Sequence, residues 1–307
     1  MNWKGVMPAM TTRFDEDLQV DHEFLSQHAK WMVENGCDGL VILGSLGEAA
    51  TLTMDEKRAI LRNMVQSVGS RIPVVAAVSA LSTRDAVAQA KQAADAGCSG
   101  LMVLPPYVYK GDWREMKRYI GEVLDATPLS GMLYNNPVSY GTDFLPEHIA
   151  ELASEHKNLH AVKESSTDVR RVSAIRALLG ERLAIFVGVD DAIVEGVYAG
   201  ATGWIAGLVN AFPAESVALF SYAITGKTRE VFELYRWFLP MLRMDTVPKF
   251  IQLIKFVQQE VGMGSARVRG PRLELSAEEK KEARGIVQQA LRTRPIMSAA
   301  SAAAATR

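Results

Sequence analysis

Short apolar runs that end in glycine or polar residues recur along the chain, near 6–12, 39–44, 73–79, 100–106, 130–136, 160–165, 183–189 and 203–208. Runs of this length bounded by turn residues predict strands. Between them lie stretches of helical periodicity, clearest over Asp55–Val68, Thr83–Ala94 and Asp112–Leu124, several opened by Ser, Thr or Asp at a capping position. Eight strands alternating with helices predict an α/β architecture, a (β/α)8 TIM barrel rather than an open sheet, because eight units suffice to close a parallel ring.

A repeated turn supports that count. Glu34-Asn35-Gly36-Cys37-Asp38-Gly39-Leu40-Val41 returns as Asp95-Ala96-Gly97-Cys98-Ser99-Gly100-Leu101-Met102 and as Tyr198-Ala199-Gly200-Ala201-Thr202-Gly203-Trp204-Ile205. In each copy a helix ends at a glycine able to take the left-handed cap, and a second glycine opens the next apolar run. Cys98 follows Cys37 by 61 residues and Ala201 follows Cys98 by 103, spans that fit two and four βα units. The barrel is expected over 1–226. Thr228–Leu239, Val247–Gly262 and Ser276–Leu291 read as helices without strands, a C-terminal extension over 227–294. The Ser/Ala-rich stretch 295–307 has no core-forming pattern and is expected to be a loose tail.

Composition narrows the setting. The 34 Lys and Arg balance 35 Asp and Glu without a long run of either sign, so neither nucleic acid nor an anionic membrane surface is expected as a partner. Met1-Asn2-Trp3-Lys4-Gly5 lacks a signal peptide's apolar stretch and no long uncharged apolar segment follows, which predicts a cytoplasmic protein. Cys37 and Cys98 sit in matching turns and read as buried free thiols. The five histidines show no ligand spacing, so no metal site is expected.

Candidate chemistry begins at Lys163, in Leu159-His160-Ala161-Val162-Lys163-Glu164-Ser165-Ser166, where an apolar strand delivers one amine as the polar residues begin. Burial lowers an amine's pKa and keeps it nucleophilic, which suits imine formation. A lone lysine at a strand end is ordinarily solvated. Tyr134, 29 positions earlier in Met132-Leu133-Tyr134-Asn135-Asn136-Pro137, changes the reading, because consecutive strands would aim an amine and a phenol into one space. Catalytic groups in such barrels stand at the carboxyl ends of strands. After strand two, Gly44-Ser45-Leu46-Gly47-Glu48 could cup a carboxylate with backbone amides and the Ser45 hydroxyl, or be a plain tight turn. Tyr107, after strand four, reads by itself as an interface or core aromatic. After strand seven, in Gly188-Val189-Asp190-Asp191, Asp191 is expected to cap the next helix.

From about Trp3 to Arg294 the chain resembles the N-acetylneuraminate lyase and dihydrodipicolinate synthase superfamily of Schiff-base-forming lyases. The likeness is carried by Gly44-Ser45-Leu46-Gly47-Glu48 against Gly-Ser/Thr-Thr-Gly-Glu, by Tyr134-Asn135-Asn136-Pro137 against Tyr-Asn-x-Pro, and by Val162-Lys163-Glu164-Ser165-Ser166 against the family's lysine strand. The resemblance implies that Lys163 forms an imine with a 2-oxo acid, that Tyr134 moves protons, and that Ser45 with neighbouring amides holds the carboxylate. It also implies a homotetramer in which Tyr107 reaches an adjoining subunit's site to join Ser45 and Tyr134 in a relay. No metal or organic cofactor is implied, since the lysine is the electron sink.

Two departures discriminate among members. Synthases carry an arginine shortly after Tyr-Asn-x-Pro that grips a second carboxylate; here Ser139 occupies its place. Leu46 replaces a threonine. The segments Tyr134–Gly141, Phe186–Asp191 (with Gly188) and Gly203–Pro213 (with Ile205) look most like Δ1-pyrroline-4-hydroxy-2-carboxylate deaminases of hydroxyproline breakdown. With Gly44, Ser45, Leu46 and Gly47, the residues Ser139, Gly188 and Ile205 are therefore expected to bind substrate. A synthase, a pyruvate-dependent aldolase, a deoxy-sugar-acid dehydratase and a metabolite-binding regulator without turnover remain alternatives.

Overall fold

The computed structural model describes residues 1–295; apart from Pro295, the expected tail lies outside them. Eight strands are present: β1 (Gly5–Pro8), β2 (Leu40–Ile42), β3 (Val74–Val78), β4 (Gly100–Val103), β5 (Ser130–Asn135), β6 (Leu159–Glu164), β7 (Ala184–Val187) and β8 (Gly203–Ala206). All pair in parallel in the order β1-β8-β7-β6-β5-β4-β3-β2. Backbone bonds of 2.8 Å from Met10 N–H to the Val41 carbonyl and from Asp38 N–H to the Val6 carbonyl close the ring. The fold is thus the (β/α)8 barrel expected. Several apolar runs outlast their strands, because the apolar residues after β1 and β4 continue as buried loop.

The outer layer comprises α1 (His22–Glu34), α2 (Met54–Val68), α3 (Thr83–Asp95), α4 (Trp113–Asp125), the one-turn α5 (Pro137–Tyr140), α6 (Pro146–Glu155), α7 (Arg170–Leu179), α8 (Ile193–Tyr198) and α9 (Pro213–Ile224). Thr53 with Glu56 and Asp112 with Glu115 form reciprocal capping boxes that start α2 and α4. Gly36, Gly97 and Gly200 end their helices at φ of 89°, 84° and 109°, the left-handed geometry that only glycine adopts freely. This explains the repeated turn.

Two apolar cores follow from strand alternation. Inward residues, among them Met7, Val75, Met102, Met132, Ala161 and Phe186, fill the barrel, with Trp3 packed edge-on against Phe186 at its amino end. Outward residues pack against the helices. The extension α10 (Thr228–Leu242), α11 (Phe250–Glu260) and α12 (Ala277–Arg292) joins that outer core through Phe238, Ile254 and Val287. No helix among the described residues is long and apolar enough to cross a membrane.

Candidate active site

At the carboxyl ends of the strands the packed interior opens into a cavity of about 400 Å³. Its floor is the last inward layer of the barrel: Ala9, Val41, Met102, Tyr134, Lys163 and Ile205. The expected site residues Gly44, Ser45, Leu46, Ser139 and Gly188 also line it. Volume and lining fit a small polar substrate.

Tyr134 and Lys163 are direct register partners of β5 and β6, so both point inward at one level. The Lys163 amine lies 4.2 Å from the centre of the Tyr134 ring. Burial lowers its pKa to about 8, with the charges of Asp245 and Asp190 opposing. About a tenth of the amine is therefore neutral at pH 7, far more than for an ordinary lysine, as imine chemistry requires. Gly188 makes room for the amine's stem: a Cβ there would fall 2.4 Å from Lys163 Cε and 2.0 Å from Ser165 Oγ. Burial raises the Tyr134 phenol to about 12, although Asn136 Nδ2 donates to its oxygen at 2.9 Å. Tyr134 is thus a phenol at neutral pH, equipped to donate and relay protons rather than to act as a standing base.

The loop after β2 is anchored from outside the barrel. Glu48, in left-handed backbone and 1% exposed, accepts a 2.6 Å bond from Lys255 Nζ on α11 and a 3.0 Å bond from the Arg269 amide. Lys255 also donates to the Thr12 carbonyl at 2.9 Å. So held, the amides of Ser45, Leu46 and Gly47 donate to no protein acceptor among the described residues, a run of free donors suited to a carboxylate. Gly47 itself does not line the cavity; its carbonyl accepts from Thr12 Oγ1 at 2.7 Å.

Two expectations need revising or placing. Asp191 does not cap α8, whose N-cap is Ala192 without a side-chain bond; it lies in a 3-10 turn with Arg243 Nε 3.6 Å away. The acid that organises this corner is Asp190, fully buried, which accepts from the amides of Gly207 and Leu208 and from the Trp204 indole. Burial raises Asp190 to about 6 against those bonds and the Lys163 charge. Tyr107 stands outside the cavity of its own chain, 40% exposed, its ring 6.3 Å from that of Tyr140.

Sequence reasoning missed three groups. Tyr140 closes the one-turn helix α5 and places its hydroxyl against Ser45 Oγ, with its ring edge-on to Tyr134 at 5.7 Å. Asn136 caps that turn, Pro137 starts it and Gly141 ends it at φ 70°, signals present in Asn-Pro-x-x-x-Gly. The Ser165 hydroxyl is buried without a protein partner beside Lys163. Asp245, from the turn between α10 and α11, also enters the cavity, and no local motif marks it.

This geometry agrees with what the chain is similar to. Residues 2–290 match the dihydrodipicolinate synthetase family. The chain belongs to that family. Curated relatives include a 4-hydroxy-tetrahydrodipicolinate synthase of Geotalea daltonii, 30% identical over 94% of this chain and 98% of that protein. Another, from Natronomonas pharaonis, is 36% identical over 75% of this chain and 78% of its own. Among solved structures, the dihydrodipicolinate synthase of Aquifex aeolicus superposes with a TM-score of 0.90 at 27% identity, covering 96% of this chain and 100% of that one. A prophage protein of the same family from E. coli K12, solved with pyruvate, gives 0.89 at 26% identity over 94% of this chain and 99% of that one. The relatives' family is one of lyases acting on small molecules.

Proposed function

We propose that this protein converts Δ1-pyrroline-4-hydroxy-2-carboxylate to 2,5-dioxopentanoate and ammonia through an imine on Lys163. The charge of the cavity carries this reading. Lys163 is the sole cation among the described residues lining it, and Ser139 stands where a synthase would present an arginine. Two substrate carboxylates would leave one unpaired in a buried site, a costly arrangement. One carboxylate, held by the Ser45–Gly47 amides, fits.

Neutral Lys163 attacks C2 of the cyclic imine, and the ring nitrogen departs as a free amine on C5. Loss of a C3 proton gives the enamine, which expels the C4 hydroxyl as water. Tautomerisation moves the unsaturation to C5, and hydrolysis at C5 and C2 releases ammonia, 2,5-dioxopentanoate and the lysine. Tyr134 is the proton carrier beside C3, giving its phenolic proton to the freed ring nitrogen before accepting the one lost from C3, while Ser165 offers a free hydroxyl to the substrate. The lysine imine is the electron sink, so the reading involves no metal or organic cofactor.

Assembly as a homotetramer is part of the same proposal: exposed Tyr107, Val108 and Tyr109 form an apolar edge that a second subunit could cover. In such an assembly Tyr107 would reach into the adjoining subunit's site to join Ser45 and Tyr134 in a proton relay.

Ammonia and 2,5-dioxopentanoate, followed by coupled dehydrogenases, test the function. Condensation of pyruvate with aspartate semialdehyde, the activity in the relatives' names, is assayed in parallel. The expected result is deamination without appreciable condensation. Efficient condensation without deamination overturns the proposal and favours the synthase. Failure of both, with pyruvate still trapped on Lys163 by borohydride, favours an aldolase or sugar-acid dehydratase; absence of turnover and trapping favours a metabolite-binding regulator.

A further inference from the structure

The acids around the cavity are satisfied, with one exception. Asp190 accepts from two amides and an indole, Glu164 from Asn135 Nδ2 at 3.0 Å and the Ser166 amide at 2.6 Å, and Asp191 faces Arg243. Asp245 has neither a hydrogen bond nor an ion pair among the described residues. It is half-buried and faces the cavity, brought there by the Arg243–Asp245 turn that links α10 to α11. Its carboxyl rests on the backbone beyond β8: a Cβ at Gly207 would fall 2.1 Å from Asp245 Oδ1. The fold thus leaves space for a carboxyl that no protein group satisfies, opposite the amine that forms the imine. A half-buried carboxyl that lines the cavity and has no protein partner is placed to meet a ligand there.

The charged and titratable groups facing it are Lys163, Asp190, Asp191 and Tyr134. Burial and the two aspartates hold the Asp245 carboxyl well above the ordinary range, against the opposing effect of Lys163. In its protonated form it can donate to an oxygen.

We propose that Asp245 is the proton donor to the departing C4 hydroxyl, an assignment that rests on the deaminase reading. In this step the electron pair of the enamine nitrogen forms the C2=N bond and the C2=C3 pair shifts to C3=C4. The C4–O bond breaks and the Asp245 proton passes to the leaving oxygen, so water departs. Asp245 is left as a carboxylate facing a conjugated iminium. It then takes a proton from C5, giving the dienamine that leads to ammonia and restoring the acid. One carboxyl thereby acts as acid and then as base, and protons balance without an outside donor.

The test compares Asp245→Asn with wild type on the hydroxy substrate and on its 4-fluoro analogue, whose fluoride leaves with far less need of a proton. In the variant, ammonia release from the hydroxy substrate is expected to fall on the order of 10²- to 10⁴-fold, the range for a lost general acid. Fluoride release is expected to fall less than about tenfold, and borohydride trapping on Lys163 to persist. Asp245→Ala, which removes a carboxyl that binds nothing in the protein, is expected to give the same split. Equal slowing of both substrates, as a structural or amine-binding role would produce, overturns the proposal, as does ammonia release within about threefold of wild type. Failure of the deaminase reading itself is distinguishable, because then wild type releases no ammonia from the hydroxy substrate, and the assignment of Asp245 falls with it.

Discussion

Two lysines lie buried on opposite sides of the loop after β2, and each amine sits over an aromatic ring. Lys163 is 4.2 Å from the Tyr134 centroid and Lys255 is 4.5 Å from that of Phe14. Burial is the largest influence on both and lowers both. The difference lies in their partners. Lys255 meets Glu48 at 2.6 Å and the Thr12 carbonyl, so charge and hydrogen bonding pull its pKa back up. Lys163 has Asp245 and Asp190 nearby, but Asp190 is spent on backbone amides and neither bonds to the amine. Burial makes a lysine expensive; the absence of a bonded anion makes it reactive. One lysine fixes the loop after β2, and the other is the amine proposed to form the imine beside it.

The largest expected effect is at Lys163. Lys163→Ala should abolish turnover and imine trapping, and Lys163→Arg should do the same, because guanidinium stays protonated. Both variants should stay folded in thermal melts, as no ion pair is broken. Detectable turnover in either would erase the distinction between the two lysines. Tyr134→Phe should lower kcat by about 10²- to 10⁴-fold while the ring still packs under the amine. A value within about threefold of wild type would assign the proton transfer to another group, and Tyr140→Phe would then be the variant to examine.

At the other lysine the loss should be of stability. Lys255→Met leaves buried Glu48 with only the Arg269 amide and the Arg272 guanidinium, 3.9 Å away, which should cost at most about 3–5 kcal/mol in urea melts. Combining it with Glu48→Gln should recover part of that loss, since both charges are then gone. A single variant as stable as wild type would show that the pair does not anchor the loop.

The smallest effect is graded. Because the reactive form is the neutral amine and its pKa lies near 8, the rate of imine formation should rise about tenfold per pH unit below that value and level off above it. A profile flat down to pH 6 would mean that Lys163 is already neutral there, or that another amine reacts.

Local pattern made the scaffold legible. The eight apolar runs, the three glycine-ended turns and the capping residues of α2 and α4 each act over a few residues, and the helix ends follow them closely. Lys163 and Tyr134 were readable for the same reason, since a strand's period of two fixes the inward side. Leu46 and Ser139, read as departures from a motif, both stand on the cavity. Asp245 was not readable. It reaches the barrel through packing of α10 and α11, and nothing in Arg243-Met244-Asp245-Thr246 distinguishes it from a solvated turn. The error at Asp191 has a similar origin. Two adjacent acids before a helix resemble a cap, but the chain turns through 3-10 geometry first and buries Asp190 under β8.

The claim that Lys163 is the imine-forming group is tested most directly by reducing the protein with borohydride in the presence of Δ1-pyrroline-4-hydroxy-2-carboxylate and locating the added mass on digested peptides. The account predicts a stable adduct on the peptide containing Lys163, none on that containing Lys255, and none anywhere in Lys163→Ala. An adduct on Lys255, or labelling that survives in Lys163→Ala, would contradict it.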